Sequence, residues 1–182
     1  MKKIILPAVL ISCFSAKAQR LISGYQDLGV VVEITGRDTH SKRHAEPMLY
    51  AKVKLQNKSN RTRRISTMTC SWEESWVSKG SYGFCYDGCD KNVETEIDIP
   101  VGQTLVFYGR LCRGSGNKLA SSHANSGGTR LGFMDFKLAD FGDQSKTVRV
   151  YWSNEFADKQ TLNTRPHNLE NGPYYELSKT SN

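Results

Sequence analysis

The stretch LYAKVKLQNKSNRTRRIST, Leu49 to Thr67, decides how the rest of the chain is read. Leu49, Ala51, Val53 and Leu55 alternate with Tyr50, Lys52 and Lys54, which gives a strand one dry face and one wet, basic face. Asn57-Lys58-Ser59-Asn60 follows as turn chemistry, and a second extended run starts near Arg63 and carries Ile65 and Thr67. Together they predict a β-hairpin. Upstream, LGVVVEITG (Leu28 to Gly36) is β-branched and continuous, as a central strand would be. Downstream, ETEIDI, the turn Pro100-Val101-Gly102-Gln103 and TLVFYGRL read as strand, tight turn, strand, with Leu105, Phe107 and Leu111 on one side. RLGFMDFKLAD and KTVRVYWSN supply two more strands, separated by Gly142-Asp143-Gln144-Ser145. No amphipathic helix of useful length interrupts them. The expected fold is all-β, an antiparallel sandwich of seven or eight strands, with a closed barrel as the alternative.

The two ends read differently from this middle. Lys2 and Lys3, the apolar run Ile4 to Ile11 and the small-x-small site Ala16-Lys17-Ala18 predict a signal peptide over residues 1–18, cleaved before Gln19. The apolar run is shorter than the roughly 20 residues that a membrane-spanning helix needs. Leu10-Ile11-Ser12-Cys13 offers a competing lipobox, in which Cys13 would be acylated and anchor the protein. Residues 19–156 then form one β domain, and residues 157–182 a polar, non-periodic tail in which Pro173-Tyr174-Tyr175 is the segment suited to docking. Arg113 to Gly128 is rich in Gly, Ser and Asn and reads as a loop. The whole chain carries a net charge of +7, and three of its lysines fall in the first eighteen residues. The mature protein is therefore mildly basic, which permits attraction to anionic surfaces without demanding nucleic acid.

Beyond Cys13 there are Cys70, Cys85, Cys89 and Cys112, an even number that in an exported chain reads as two disulfides. The spacing lacks paired Cys-x-x-Cys knuckles, which argues against zinc. Cys85-x-x-x-Cys89 in a Gly/Asp turn likewise lacks the helix start that activates a redox thiol.

TMTCSWEESW, Thr67 to Trp76, is the densest candidate site. Read as a strand, it places Cys70, Trp72, Glu74 and Trp76 on one face and Glu73 on the other. The two carboxylates then point apart, so they do not make a glycosidase pair, which needs two acids facing across a cleft. Glu73 or Glu74 would need a distant partner such as Asp87 or Asp135. Trp72 suits the core, beside the disulfide of Cys70. Trp76 and Glu74, with Tyr86 and Asp87 from SYGFCYDGCDKN, remain as ligand-binding candidates of the kind that stack and hydrogen-bond sugars.

Lys52, Lys54, Arg61 and Arg63 form the expected basic surface, with Lys58 and Arg64 beside them. Such a ridge can meet phosphates or acidic glycans. It carries no interleaved aromatics of the sort that single-stranded nucleic acid requires, and it also serves as a solvated face that discourages edge pairing. His40 and His44 are four apart but sit in a loop-like run before Pro47, while His123 and His167 fall in the loop and the tail. No metal, no cofactor and no catalytic residues are expected from this pattern, and no Gly-x-Ser-x-Gly elbow occurs.

Met68-Thr69-Cys70-Ser71-Trp72, the later Cys89-Asp90-Lys91-Asn92, the strand that ends in Asn57-x-Ser59, and Trp152-Ser153-Asn154 together resemble a group of small exported Bacteroidota proteins of unknown function. The small-Lys-Ala-Gln end of the signal peptide is similar to signal peptides common there. The resemblance covers about residues 48–154 and implies an immunoglobulin-like sandwich with no known activity. It also implies the pairing Cys70–Cys89 with Cys85–Cys112. The layout is loosely similar to immunoglobulin-like proteinase-inhibitor domains as well. The function expected is an exported, periplasmic or secreted, non-enzymatic module that binds a partner protein or glycan of the cell envelope. A secreted hydrolase or proteinase inhibitor is the alternative.

Overall fold

The computed structural model describes residues 20–38, 48–85, 93–114, 117–118, 128–135, 147–156 and 175–179. They form β1 (Arg20–Ile22), β2 (Leu28–Asp38), β3 (Met48–Asn57), β4 (Arg63–Met68), the single-turn 3-10 helix η1 (Trp72–Ser75), β5 (Trp76–Lys79) and β6 (Tyr82–Phe84). β7 (Glu94–Ile99), β8 (Gln103–Arg113), β9 (Asn117–Lys118), β10 (Arg130–Asp135), β11 (Thr147–Trp152) and β12 (Tyr175–Lys179) follow. The described residues thus form β-sheets with almost no helix. Twelve strands are described against the seven or eight expected, because β1, β6 and β9 are only two or three residues long and β12 comes from the tail.

One sheet runs β12-β8-β3-β2, antiparallel throughout, with β6 also paired to β8. A second runs β1-β11-β10-β5-β9, antiparallel except for the parallel contacts at its two ends. β4 and β7 pair antiparallel by themselves. Alternation puts every second side chain of these strands into a common core. Val32, Val53, Leu55, Leu105, Phe107 and Leu111 enter from the first sheet, Trp76, Leu131, Phe133 and Tyr151 from the second, and Ile65, Ile97 and Ile99 from the β4–β7 pair. A smaller apolar cluster, Val77, Met134, Val148 and Val150, lies on the other face of the second sheet.

The expected hairpin is not one. β3 pairs with β2 and β8, whereas β4 pairs with β7, so the turn after Asn57 carries the chain across the core from one layer to the other. Asn57 fixes this crossing. Its buried side-chain amide donates to the carbonyls of Arg61 and Ile99, each at 2.8 Å, while its oxygen accepts from Ser59 N–H at 2.9 Å and Ser59 Oγ at 2.7 Å. A buried carboxamide with all these partners satisfies the backbone of a turn that no ladder reaches.

β2, expected to be central, instead ends its sheet, with an irregularity at Thr35 between Ile34 and Gly36. Its outer edge is covered at Val30 and Val32 by the segment after β11. Val30 bridges Ser153, Val32 N–H donates to Asn154 Oδ1 at 2.8 Å, and Asn154 Nδ2 donates to Val32 C=O at 3.2 Å. One side-chain amide thereby imitates the peptide group of a neighbouring strand.

Cys85 and Cys112 form a disulfide, with Cα atoms 5.1 Å apart, that ties the end of β6 to β8. Cys70 is disulfide-bonded too. Cys89, its expected partner, lies outside the described residues, as do residues 1–19 with Cys13. Among the described residues no helix is long and apolar enough to cross a membrane.

Candidate functional site

The segment expected to carry the site as a strand folds instead as η1, with Glu74 N–H donating to Ser71 C=O at 2.9 Å. That tight turn abolishes the alternation and swings both indoles inward. Trp72 is 1% exposed; its ring lies 4.9 Å from that of Phe107 in a stacked arrangement and 4.8 Å from Phe84 edge-on. Trp76, expected to present an exposed ring, is 2% exposed and packs edge-on against Phe84, Phe107 and Phe133. It is a core residue and not a stacking platform. Gly109 makes the room, since a Cβ there would stand 2.9 Å from both Phe84 and Trp72. Glu74 sits half-buried on η1, and Tyr86 and Asp87 lie outside the described residues. Of the four candidates, the described residues thus place Trp76 in the core and Glu74 half-buried on η1.

Glu73 is the unusual acid of the turn. Burial pushes its carboxyl up to about 7; its own backbone hydrogen bond and Arg110 hold it down, and Glu74 pushes it up further. Its Oε2 is buried with no hydrogen-bond partner among the described residues. A carboxyl whose folded pKa is raised binds its proton more tightly in the folded state than in the unfolded one. Stability from this group is therefore full below about pH 4.5 and is lost as the pH rises toward 7. The loss is on the order of 1–3 kcal/mol. Glu73→Gln should remove that slope and leave the protein more stable than wild type at pH 8, as read from urea unfolding at several pH values.

The expected basic surface is broken up by carboxylates. Lys54 pairs with Glu33 across β2 and β3. Arg64 is clamped by Asp98 at 2.7 and 2.9 Å with Glu96 at 3.5 Å, and that hydrogen bond holds the Asp98 carboxyl below its usual range. Lys52 lies 5.7 Å above the ring of Tyr108. Arg61 is exposed in the crossing turn. Arg63 does not belong to a surface at all; its side chain is 11% exposed.

Around Arg63 the structure assembles what the sequence scatters. Its guanidinium meets Asp27 at 3.2 Å and Asp135 at 2.7 Å, and a third contact reaches the Tyr151 hydroxyl at 3.4 Å. Tyr151 in turn donates to Asp27 at 3.0 Å. Arg63 continues the inward face of Ile65, Asp135 that of Phe133, and Asp27 immediately precedes Leu28, so the cluster closes one end of the core where inward positions run out toward solvent. Burial pushes the Asp135 carboxyl up against the opposing pull of Arg63 and Arg149. Burial, then the bond to Asp27, drives the Tyr151 hydroxyl to about 12. On the rim, Arg149 stacks 4.7 Å over the ring of Tyr25, which is 40% exposed and 6.1 Å from the ring of Tyr151. Exposed aromatic, guanidinium and part-exposed carboxylate thus converge over an ion-paired base.

Among the described residues no three His, Cys, Asp or Glu side chains gather as metal ligands would. All four histidines lie outside those residues. Compared with protein-family models, with curated proteins and with solved structures, the chain finds no match.

Proposed function

We propose that the protein is an exported, immunoglobulin-like β-sandwich that binds a glycan of the cell envelope without catalysis, through the rim formed by Tyr25, Arg149 and Asp27. The observation that carries this is the pairing of a half-exposed tyrosine with a stacked guanidinium beside a carboxylate. A planar aromatic face with adjoining donors and acceptors suits the apolar faces and hydroxyls of sugar rings. The base beneath supports the reading, because Arg63 and Tyr151 both hold Asp27 and Tyr151 packs beside Tyr25. The order β2-β3-β8 in one layer and β11-β10-β5 in the other, with β4–β7 beside it, supports the immunoglobulin-like assignment. Disulfides at Cys85–Cys112 and Cys70 suit an oxidising compartment beyond the inner membrane.

The test is a glycan array probed with the mature chain, with Tyr25→Ala and Arg149→Ala as variants. Binding that either variant weakens at least about tenfold, with the melting temperature unchanged, is the expected result. An array without signal, followed by capture of an envelope protein through the same two residues, would replace the glycan by a protein partner. A second reading, a secreted hydrolase, draws on Glu73 as a carboxyl still protonated near neutral pH. It requires an activity that Glu73→Gln abolishes.

A further inference from the structure

A sheet edge is a template for another strand, and folded proteins shorten, cover or charge their edges to prevent pairing. Several described edges of this protein follow that rule. β1, β6 and β9 are two or three residues long. The edge of β2 is covered at Val30 and Val32 by Ser153 and the Asn154 amide. β4 meets η1 at one end, where Ser75 Oγ lies 3.5 Å from Thr67 Oγ1. β7 presents Glu94, Glu96 and Asp98. A two-fold axis perpendicular to a sheet makes opposed residues share a face, so antiparallel self-pairing must centre on a residue. Centred on Glu96 or on Ile97, β7 would oppose acid to acid, which is destabilising.

β12 follows none of these devices. It is five residues long, it pairs with β8 from Tyr175↔Phe107 to Lys179↔Gln103, and its other edge has no strand partner among the described residues. Its middle residue, Leu177, is 50% exposed, and Val101, also exposed, tops the turn that enters β8. Self-pairing centred on Leu177 would oppose Leu177 to its own mate, Glu176 to Ser178 and Tyr175 to Lys179. No like charges meet in that register, and an apolar pair sits on the axis. The geometry points to a homodimer formed by antiparallel pairing of β12 with β12 of a second copy, joining two sheets into one continuous sheet across a two-fold axis. This holds whether or not the rim at Tyr25 binds a glycan.

Sedimentation equilibrium of the mature chain across a wide concentration range tests it. The expected result is a monomer–dimer equilibrium that Leu177→Lys weakens at least about tenfold, by setting two lysines face to face, and that Val93→Lys leaves unchanged. Val93 is more exposed than Leu177 but lies before β7. A second variant guards against a Leu177→Lys protein that has simply lost β12: Leu177→Cys should yield a disulfide-linked dimer on mild oxidation by oxidised glutathione faster than Val93→Cys does. A monomer at every concentration would overturn the inference. So would a dimer indifferent to Leu177→Lys, a dimer dispersed equally by both lysine variants, or equal rates of cross-linking.

Discussion

Arg63→Ala should cost about 3 kcal/mol of stability at pH 7, measured by urea unfolding with the disulfides intact. The change removes more than one ion pair. Asp27 and Asp135 both point at the guanidinium, and without it two carboxylates face each other at the end of the core with Tyr151 between them. The lower end of the range for a broken buried pair applies because Asp27 retains access to water. The sign with pH follows from the same geometry. Uncompensated carboxylates have raised pKa values in the folded state, so the variant recovers stability on acidification, and its deficit at pH 4 should be smaller than at pH 7. The triple variant Arg63→Met, Asp27→Asn, Asp135→Asn should lose less than Arg63→Ala alone, since no charge is stranded. A deficit independent of pH would mean that lost packing, and not electrostatics, is what Arg63 supplies.

Trp72→Ala should be still more damaging, by about 3–5 kcal/mol. The indole is enclosed by Phe84, Phe107 and the bare backbone of Gly109, and it joins η1 to the centre of β8. Truncation leaves a void bounded by aromatic rings that cannot collapse without moving two strands. Trp72→Phe keeps a ring in the site and should cost less than half as much. Chemical unfolding followed by circular dichroism distinguishes the two. If alanine costs no more than phenylalanine, the turn is not anchored by this side chain.

Period-two alternation was enough to locate β3, β8, β10 and β11 and, for β3 and β8, to say which residues face inward. It was silent on neighbours. A dry face at Leu49 to Leu55 and another at Ile65 and Thr67 are equally compatible with adjacent strands and with strands across a core, and only the burial of Asn57 separates the two. The burial of the two tryptophans was hidden for a related reason. Trp72 and Trp76 were placed by an alternation that η1 interrupts, and nothing in Ser71 to Ser75 forbids extended backbone. The residues of the Arg63 cluster were more legible than they were read to be. Arg63 shares its parity with Ile65 and Thr67, Asp135 with Leu131 and Phe133, and Arg149 with Tyr151. Their charge suggested water; their position already suggested the mouth of the core. β12 carries no such signal, because a five-residue strand held on one side leaves its sequence nearly free.

The closure of β2 by Asn154 has a chemical lifetime. The side-chain amide fits Val32 because it has one donor and one acceptor, set as a peptide sets them. Deamidation to aspartate exchanges that nitrogen for oxygen and leaves the shape almost unchanged, yet an acceptor then confronts the Val32 carbonyl and β2 loses its cover there. Spontaneous hydrolysis at one side chain would thus convert a protected molecule into one ready to add strands, and the age of the protein would be written in its state of association.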